Sequence, residues 1–108
     1  MSFDPMAAAV DWLDAYRAGD IETLLDMYAD DVMVHCGCGG MKTLAGREAL
    51  RAYWLDRLQK YRALDLADLQ LSPEGPTISY LTTTGVVRAV LVFDPVGKIK
   101  ILQCGPSP

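Results

Sequence analysis

Apolar residues recur at the spacing of one helix face in three stretches of the first half of the chain. The first stretch begins after Asp4, which suits an N-cap, and at Pro5, which suits the first helical position. The last stretch spans residues 47–62 and follows Gly46. We predict a helix in each stretch. The apolar positions of the first and last are Met6, Ala9, Val10, Leu13 and Tyr16, and Leu50, Tyr53, Trp54, Leu58 and Tyr61.

The segment at residues 15–36 predicts the end of the first helix, a short second helix and the start of a strand. Gly19 suits the left-handed residue that ends a helix, and Asp20 suits the N-cap of the next one. Asp30 and Asp31 predict the end of the second helix, because acidic side chains are unfavourable at the negative end of its dipole. The apolar face of this helix comprises Ile21, Leu24, Leu25 and Tyr28.

Alternating patterns typical of strands begin at residue 32 and dominate the second half of the chain. Residues 41–45 suit a short return strand after a glycine-rich turn. Helices first and an antiparallel meander afterwards predict a single α+β domain over residues 1–108. The meander strands are predicted at residues 64–71, 77–83, 86–93 and 98–104.

The strand at residues 86–93 is apolar on both faces, because Val86, Val90 and Val92 alternate with other apolar side chains. A strand with two apolar faces needs a cover on each. The helices of the chain can cover one face. We therefore expect a second copy of the chain to cover the other, in a homodimer packed through the outer face of the sheet.

The composition narrows the range of possible binding partners and cellular locations. The formal net charge of -4 argues against nucleic acid and anionic membrane as partners, because both favour clustered Lys and Arg. No apolar run approaches the length of a membrane span, and the N-terminus does not have the pattern of a signal peptide. Three cysteines, an odd number, favour reduced thiols, so we expect a cytoplasmic protein.

The order and spacing of several short motifs resemble the nuclear transport factor 2-like superfamily, with its SnoaL-like and ketosteroid isomerase-like branches closest. The resemblance implies a cone: a curved antiparallel sheet wrapped by three N-terminal helices around a pocket, usually in a dimer. The motifs are Ala18-Gly19-Asp20, Leu24, Tyr28-Ala29-Asp30-Asp31-Val32, Gly46-Arg47-Glu48-Ala49-Leu50 and Tyr53-Trp54.

The positions that carry isomerase chemistry in the resembled family are occupied differently in this chain. Its first-helix tyrosine falls on Trp12, its carboxylate base on Cys36 and its protonated acid on Ala89, while a supporting tyrosine falls on Trp54. That reaction needs a carboxylate base and acidic oxyanion donors. Ketosteroid isomerase activity is therefore not expected.

The resemblance also implies which side chains line the cone. With two tryptophans among them, we expect an apolar pocket that binds a small hydrophobic molecule without a cofactor. The predicted lining residues are Trp12, Tyr16, Tyr28, Cys36, Trp54, Ala89, Leu91 and Leu102.

Two alternative functions stay open. The first is a lyase or isomerase acting on a cyclic hydrophobic substrate in the same pocket, with Cys36, His35, Asp31 and Tyr16 as candidate catalytic residues. Regular alternation places His35 on the outer side of the strand, away from Cys36. The second is a dimerisation or partner-binding module without a ligand.

The cysteines and the single histidine offer a four-ligand zinc site, formed by His35, Cys36, Cys38 and Cys104. However, a Cys-x-Cys spacing is not the usual chelating one, and neighbouring residues of a strand point to opposite faces. A disulfide between Cys38 and a neighbour is a further alternative. We favour three thiols and no metal.

Overall fold

Three helices and six strands make up the described residues of the computed structural model, which are 4–36, 42–60, 62–83 and 85–106. None of the helices in these ranges is long and apolar enough to cross a lipid bilayer. The elements are α1 (Pro5–Ala18), α2 (Ile21–Asp26), β1 (Tyr28–Cys36), β2 (Lys42–Ala45), α3 (Arg47–Lys60), β3 (Ala63–Ser72), β4 (Gly75–Thr82), β5 (Gly85–Phe93) and β6 (Ile99–Pro106).

The predicted caps hold the α1–α2 corner. The Asp4 carboxylate accepts hydrogen bonds from the backbone amides of Met6 and Ala7 at the start of α1. Gly19 ends that helix in the left-handed region at φ 71°, where a residue with a side chain would be strained. Asp20 then caps α2 by accepting from the Thr23 amide at 3.2 Å. The chain therefore turns where the sequence predicted.

The second helix is shorter than predicted, and this part of the sequence interpretation was wrong. Helix α2 ends at Asp26, and Asp30 and Asp31 lie inside strand β1. Tyr28 pairs with Ile99 of β6, and the Ile99 amide donates to the Met27 carbonyl at 2.9 Å. Because these residues pair with a strand that is distant in sequence, the last predicted turn of the helix does not form.

The six strands form one sheet with the order β2-β1-β6-β5-β4-β3, and the α+β class is confirmed. All neighbouring strands are antiparallel except β1 and β6, which are parallel. The sequence did not predict this parallel pair, because strands distant in sequence carry no local signal of their pairing. The register across it joins Val34 to Leu102 and Cys36 to Cys104.

The strand directions give the sheet two distinct ends. Strands β1, β4 and β6 finish at the same end at which β3 and β5 begin. We call this the Cys36 end, and its residues are Cys36, Ala63, Thr82, Gly85 and Pro106. The opposite end, where β1 begins beside β6, is the Tyr28 end.

The helices cover one face of the sheet, and the core lies between them. Strand β5 shows the two faces clearly, because Val87, Ala89 and Leu91 are buried while Val86 is 37% exposed. The inner face of the sheet carries Val34, Ile78, Tyr80, Val87, Ala89, Leu91 and Leu102, all buried.

Candidate functional site

The residues predicted to line the pocket come together on the inner face. The seven whose side chains are described are all buried in one core cluster: Trp12, Tyr16, Tyr28, Trp54, Ala89, Leu91 and Leu102. The eighth, Cys36, pairs through its backbone with Cys104, and its side chain lies outside the described part of the structure. That these residues line a ligand cavity stays a prediction.

Four aromatic rings, contributed by two helices and one strand, form the centre of this cluster. Trp12 packs edge-on against Tyr16, Trp54 and Tyr80 with ring centroids 5.7 to 5.9 Å apart. Tyr16 lies 4.8 Å from Trp54 and 5.5 Å from Tyr80, again edge-on. Each such pair contributes roughly 0.5–1.5 kcal/mol beyond the area it buries. We refer to Trp12, Tyr16, Trp54 and Tyr80 as the aromatic cluster.

At the Tyr28 end, two polar atoms beside the aromatic cluster are paired with each other. The Trp12 indole donates to the Tyr28 hydroxyl at 2.8 Å, and both side chains are buried. Burial raises the pKa of Tyr28 well above its ordinary value, although the hydrogen bonds of Trp12 and Trp54 act in the opposite direction. This phenol therefore stays protonated at neutral pH.

The buried indole Nε1 of Trp54 is a second donor in this region. It has no hydrogen-bond acceptor at good geometry among the described residues, even though Trp54 lies near enough to Tyr28 to lower the pKa of that phenol. Buried donors are nearly always satisfied in native proteins. The Trp54 N–H therefore lies at the Tyr28 end, beside the hydroxyl that also accepts from Trp12.

A charged side chain, Arg57, lies at the other side of the aromatic cluster. It belongs to the last turn of α3 and is only 2% exposed. Its Nη2 donates to the Tyr80 hydroxyl at 3.2 Å, and its guanidinium carbon lies 5.8 Å from the ring centroids of both Tyr16 and Tyr53. Contacts with ring faces stabilise a desolvated cation.

Burial and the surrounding phenols together fix the protonation states of this region. Burial acts to lower the pKa of Arg57, but electrostatic interactions with Tyr80, Tyr53, Tyr16 and Cys104 hold it above its ordinary value. Burial raises the pKa of Tyr16 to about 12 against the lowering effect of Arg57, and it raises the pKa of Tyr80 as well. At neutral pH these groups are one guanidinium cation, which donates hydrogen bonds, and protonated phenols, which both donate and accept them.

The polar region continues toward the Cys36 end through Tyr53 and Cys104. The Tyr53 hydroxyl and the Cys104 sulfur are 3.4 Å apart, and both side chains are half-buried. Cys104 is in turn the register partner of Cys36. A series of side-chain contacts therefore connects the guanidinium with partly accessible side chains at that end of the sheet.

Arg57 was missed in the reading of the sequence, although a signal was present. It follows Leu50, Tyr53 and Trp54 by seven, four and three residues, so it lies on the apolar face of α3. A charged residue on an apolar helix face is unusual unless it is paired or functional. Its aromatic neighbours on α1 and β4 were not predictable from that spacing.

The three candidate catalytic residues whose side chains are described lie apart from one another. Of these three, only Tyr16 lies in the aromatic cluster. His35 faces away from the buried Val34 on the outer side of β1, as expected, and its Nδ1 lies 3.2 Å from Thr43 Oγ1. Asp31 is exposed and lines a surface cleft of about 510 Å³ with Asp30 and Arg47. The side chain of Cys36 is outside the described part.

The zinc alternative rests partly on Cys38, which lies outside the described residues. Among the residues that are described, no group of three or more His, Cys, Asp and Glu side chains is arranged to hold a metal ion. The four-ligand site therefore stays a hypothesis, and so does a disulfide that involves Cys38.

Comparisons with known proteins agree with this fold. A family model described as the SnoaL-like domain matches residues 9–93. A SnoaL-like protein of unknown function from Burkholderia thailandensis superposes with a TM-score of 0.78 at 21% identity, over 93% of this chain and 92% of that one. SalBIII, an epoxide hydrolase/cyclase-like enzyme with a role in pyran ring formation in the polyether salinomycin, superposes with a TM-score of 0.76 at 15% identity, over 94% and 88%. No curated protein matches the sequence.

Proposed function

The chain belongs to the SnoaL-like domain family, and on this premise we propose that it binds a small hydrophobic molecule at the Cys36 end of the aromatic cluster. The resemblance to the nuclear transport factor 2-like superfamily is confirmed by the family match and by the fold. Fold alone does not give function, so the proposal depends on the chemistry of the inner face.

The observation that carries the proposal is the guanidinium of Arg57 inside an aromatic core. Removing a charge from water costs several kcal/mol, and a hydrophobic residue at that position usually serves stability as well or better. Ligand sites combine mainly apolar walls with a few converging polar groups. Arg57 with Tyr16, Tyr53 and Tyr80 has that composition.

A neutral bicyclic probe, 2-naphthamide, tests the proposal by isothermal titration calorimetry. We expect one probe to bind per chain. The variant Cys104→Phe places a bulky ring beside Tyr53 and should weaken binding at least about tenfold, since overpacking closes the space a ligand would need. Val96→Phe is the matched control, because Val96 is 81% exposed on the β5–β6 turn. Absence of binding to the unmodified protein, or equal weakening by both variants, would contradict the proposal.

The enzymatic alternative, a lyase or isomerase acting on a cyclic hydrophobic substrate, uses the same site. The feature that favours it is the Tyr16 phenol, a proton donor held beside the Arg57 cation. Exchange of the α-protons of 1-tetralone in deuterated water, followed by NMR, tests it. Catalysed exchange that Tyr16→Phe abolishes supports the enzyme, and a rate equal to that of buffer rejects it for this class of ketone.

We also propose that the protein is a homodimer packed through the outer face of the sheet. Met33, Leu81 and Val86 are 37–39% exposed on that face, and Leu81 and Val86 are register partners on neighbouring strands. Light scattering should give the mass of a dimer, and Leu81→Lys should give a monomer, while Leu71→Lys on β3 should not. A dimer that binds none of the probes would instead favour the ligand-free module. The cytoplasmic location stays a prediction.

A further inference from the structure

We propose that a second site, the cleft between α1, the end of α2 and the β5–β6 turn, binds an organic cation: an ammonium group on an aromatic or other apolar body. The cleft has a volume of about 440 Å³ and lies at the Tyr28 end. Its lining residues lie outside the aromatic cluster. This site is therefore separate from the one proposed above, and its ligand belongs to a different chemical class.

Part of the cleft is apolar. Ile99 is buried, Met27 and Phe93 are half-buried, and all three line the cleft. Val96 lines it as well and is 81% exposed on the turn. A ligand body packed against Val96 and Phe93 would remove apolar surface of both from water, which is favourable. These residues thus supply a contact surface that folding leaves uncovered.

Hydrogen bonds hold the sides of the cleft in place. The Asp94 carboxylate accepts from the amides of Val96 and Lys98 at 3.0 and 2.9 Å, which fixes the turn. The Ile99 amide donates to the Met27 carbonyl at 2.9 Å, so the strand after the turn is joined to the residue that follows α2. A cleft that exists before binding avoids the cost of ordering loops around a ligand.

The charged groups of the cleft favour a cation. Asp11 on α1 and Asp26 in the last turn of α2 are exposed and line it, and that turn contains no basic residue. Lys98 supplies the one positive charge among the described lining residues, and its ammonium donates to the Asp26 backbone carbonyl. Carboxylates and the carbonyls of a helix C-terminus attract ammonium groups. An ammonium of the chain itself is therefore already bound at this edge, and the two carboxylates exceed its single charge.

The adjoining surface cleft of about 510 Å³ adds to the negative potential. The two clefts share Asp26 and Lys98. The adjoining one contributes three further carboxylates against one cation: Asp30, Asp31 and Asp94 against Arg47. A surface in which one sign of charge prevails raises the local concentration of ligands of the opposite sign.

An organic cation suits these features better than a metal ion or a neutral molecule. Within the part of the chain that the structure describes, no group of three or more His, Cys, Asp and Glu side chains is arranged to hold a metal ion. A metal ion would leave the apolar residues unused, and a neutral hydrophobic molecule would leave the carboxylates unused. A cleft of this volume has room for a body of one or two rings.

A matched pair of probes, 2-(1-naphthyl)ethylamine and 2-(1-naphthyl)ethanol, tests the cation site by isothermal titration calorimetry at neutral pH and low salt. The amine should bind about 3- to 10-fold more tightly than the alcohol, a preference of the size that exposed charge pairs give. Asp26→Asn should reduce this preference about twofold or more. Lys98→Met should increase it, because this variant removes a competing positive charge. Asp14→Asn is the control, since it changes the net charge equally at an exposed position of α1 outside the cleft lining.

Equal binding of the two probes, or binding of neither, overturns the cation site. A preference that Asp26→Asn leaves unchanged, that Asp14→Asn reduces equally or that Lys98→Met does not increase also counts against it. Should Asp26→Asn not fold by circular dichroism, Asp11→Asn replaces it, with the same loss expected.

Competition with 2-naphthamide distinguishes this site from the one at the Cys36 end. Saturating 2-naphthamide should leave the affinity for the amine unchanged. Displacement of the amine would show that both probes share one site, which overturns the second site and leaves hydrophobic ligand binding intact. Binding of the amine in a protein that does not bind 2-naphthamide would support the cation site and contradict the function proposed above.

Discussion

The two ends of the aromatic cluster contain similar aromatic residues, but their polar atoms differ in charge and in hydrogen bonding. At the Tyr28 end, the Trp12 indole and the Tyr28 hydroxyl satisfy each other at 2.8 Å. Toward the Cys36 end, the Arg57 guanidinium donates to the Tyr80 hydroxyl and lies against the rings of Tyr16 and Tyr53. A pair of neutral groups serves the fold, whereas a buried cation carries a desolvation cost that a hydrophobic residue would avoid. The comparison predicts that the half of the core at the Tyr28 end is structural and that the other half holds the proposed ligand site.

Truncation of Trp12 should have the largest effect on stability. Trp12→Ala removes a fully buried ring that contacts Tyr16, Trp54 and Tyr80, and the expected loss is about 3–5 kcal/mol in the free energy of unfolding. Urea denaturation measures it. A loss below about 1 kcal/mol would mean that the Tyr28 end is not the structural half.

Alkaline pH should destabilise the protein through its buried phenols. The pKa of Tyr16 is about 12 in the folded chain and 10.0 in the unfolded one, so the unfolded state loses its proton first as pH rises. The stabilisation is complete below pH 10 and is lost between pH 10 and 12, by roughly 1.4 kcal/mol per pH unit for one phenol. Denaturation across this range should show the fall, and Tyr16→Phe should make it shallower. An identical slope in that variant would contradict the assignment.

Removal of a single hydroxyl distinguishes the two ends more finely. Tyr28→Phe deprives the buried Trp12 indole of its acceptor, and the expected cost is about 1–3 kcal/mol. Tyr53→Phe is the comparison, because Tyr53 is only half-buried and its hydroxyl faces the Cys104 sulfur. Thermal and urea denaturation should show the smaller loss for Tyr53→Phe. Equal losses of stability in the two variants would contradict the proposed difference between the two ends.

Replacement of the buried cation should have the smallest effect on stability. Arg57→Met exchanges a charge for an apolar side chain, and the expected change in the free energy of unfolding is within about 1 kcal/mol of zero. Arg51→Met, which breaks an exposed ion pair, should change stability by less than about 1 kcal/mol. A loss of several kcal/mol at Arg57 alone would show that the guanidinium is structural.

The elements and the family were predictable from the sequence because their signals are local. Asp4, Gly19 and Asp20 cap helices through contacts with residues a few positions away. The apolar periodicity of α1 and α3 likewise predicted Tyr16 and Trp54 as buried residues, whereas the family resemblance placed Trp12 among the pocket residues. The predicted end of α2 was wrong because it depends on a non-local contact. Met27 and Tyr28 pair with Ile99, which is distant in sequence.

The sequence by itself determined the α+β class, the helix caps and the aromatic composition of the core, because side-chain periodicity and backbone conformation depend on near neighbours. Only the tertiary structure decided that β1 runs parallel to β6, that Arg57 enters the core, and that its neighbours are the phenols of Tyr16, Tyr53 and Tyr80. These contacts join α1, α3 and β4, elements whose packing is set by the sheet as a whole. The candidate site is therefore a property of the fold, and no single segment of the chain contains it.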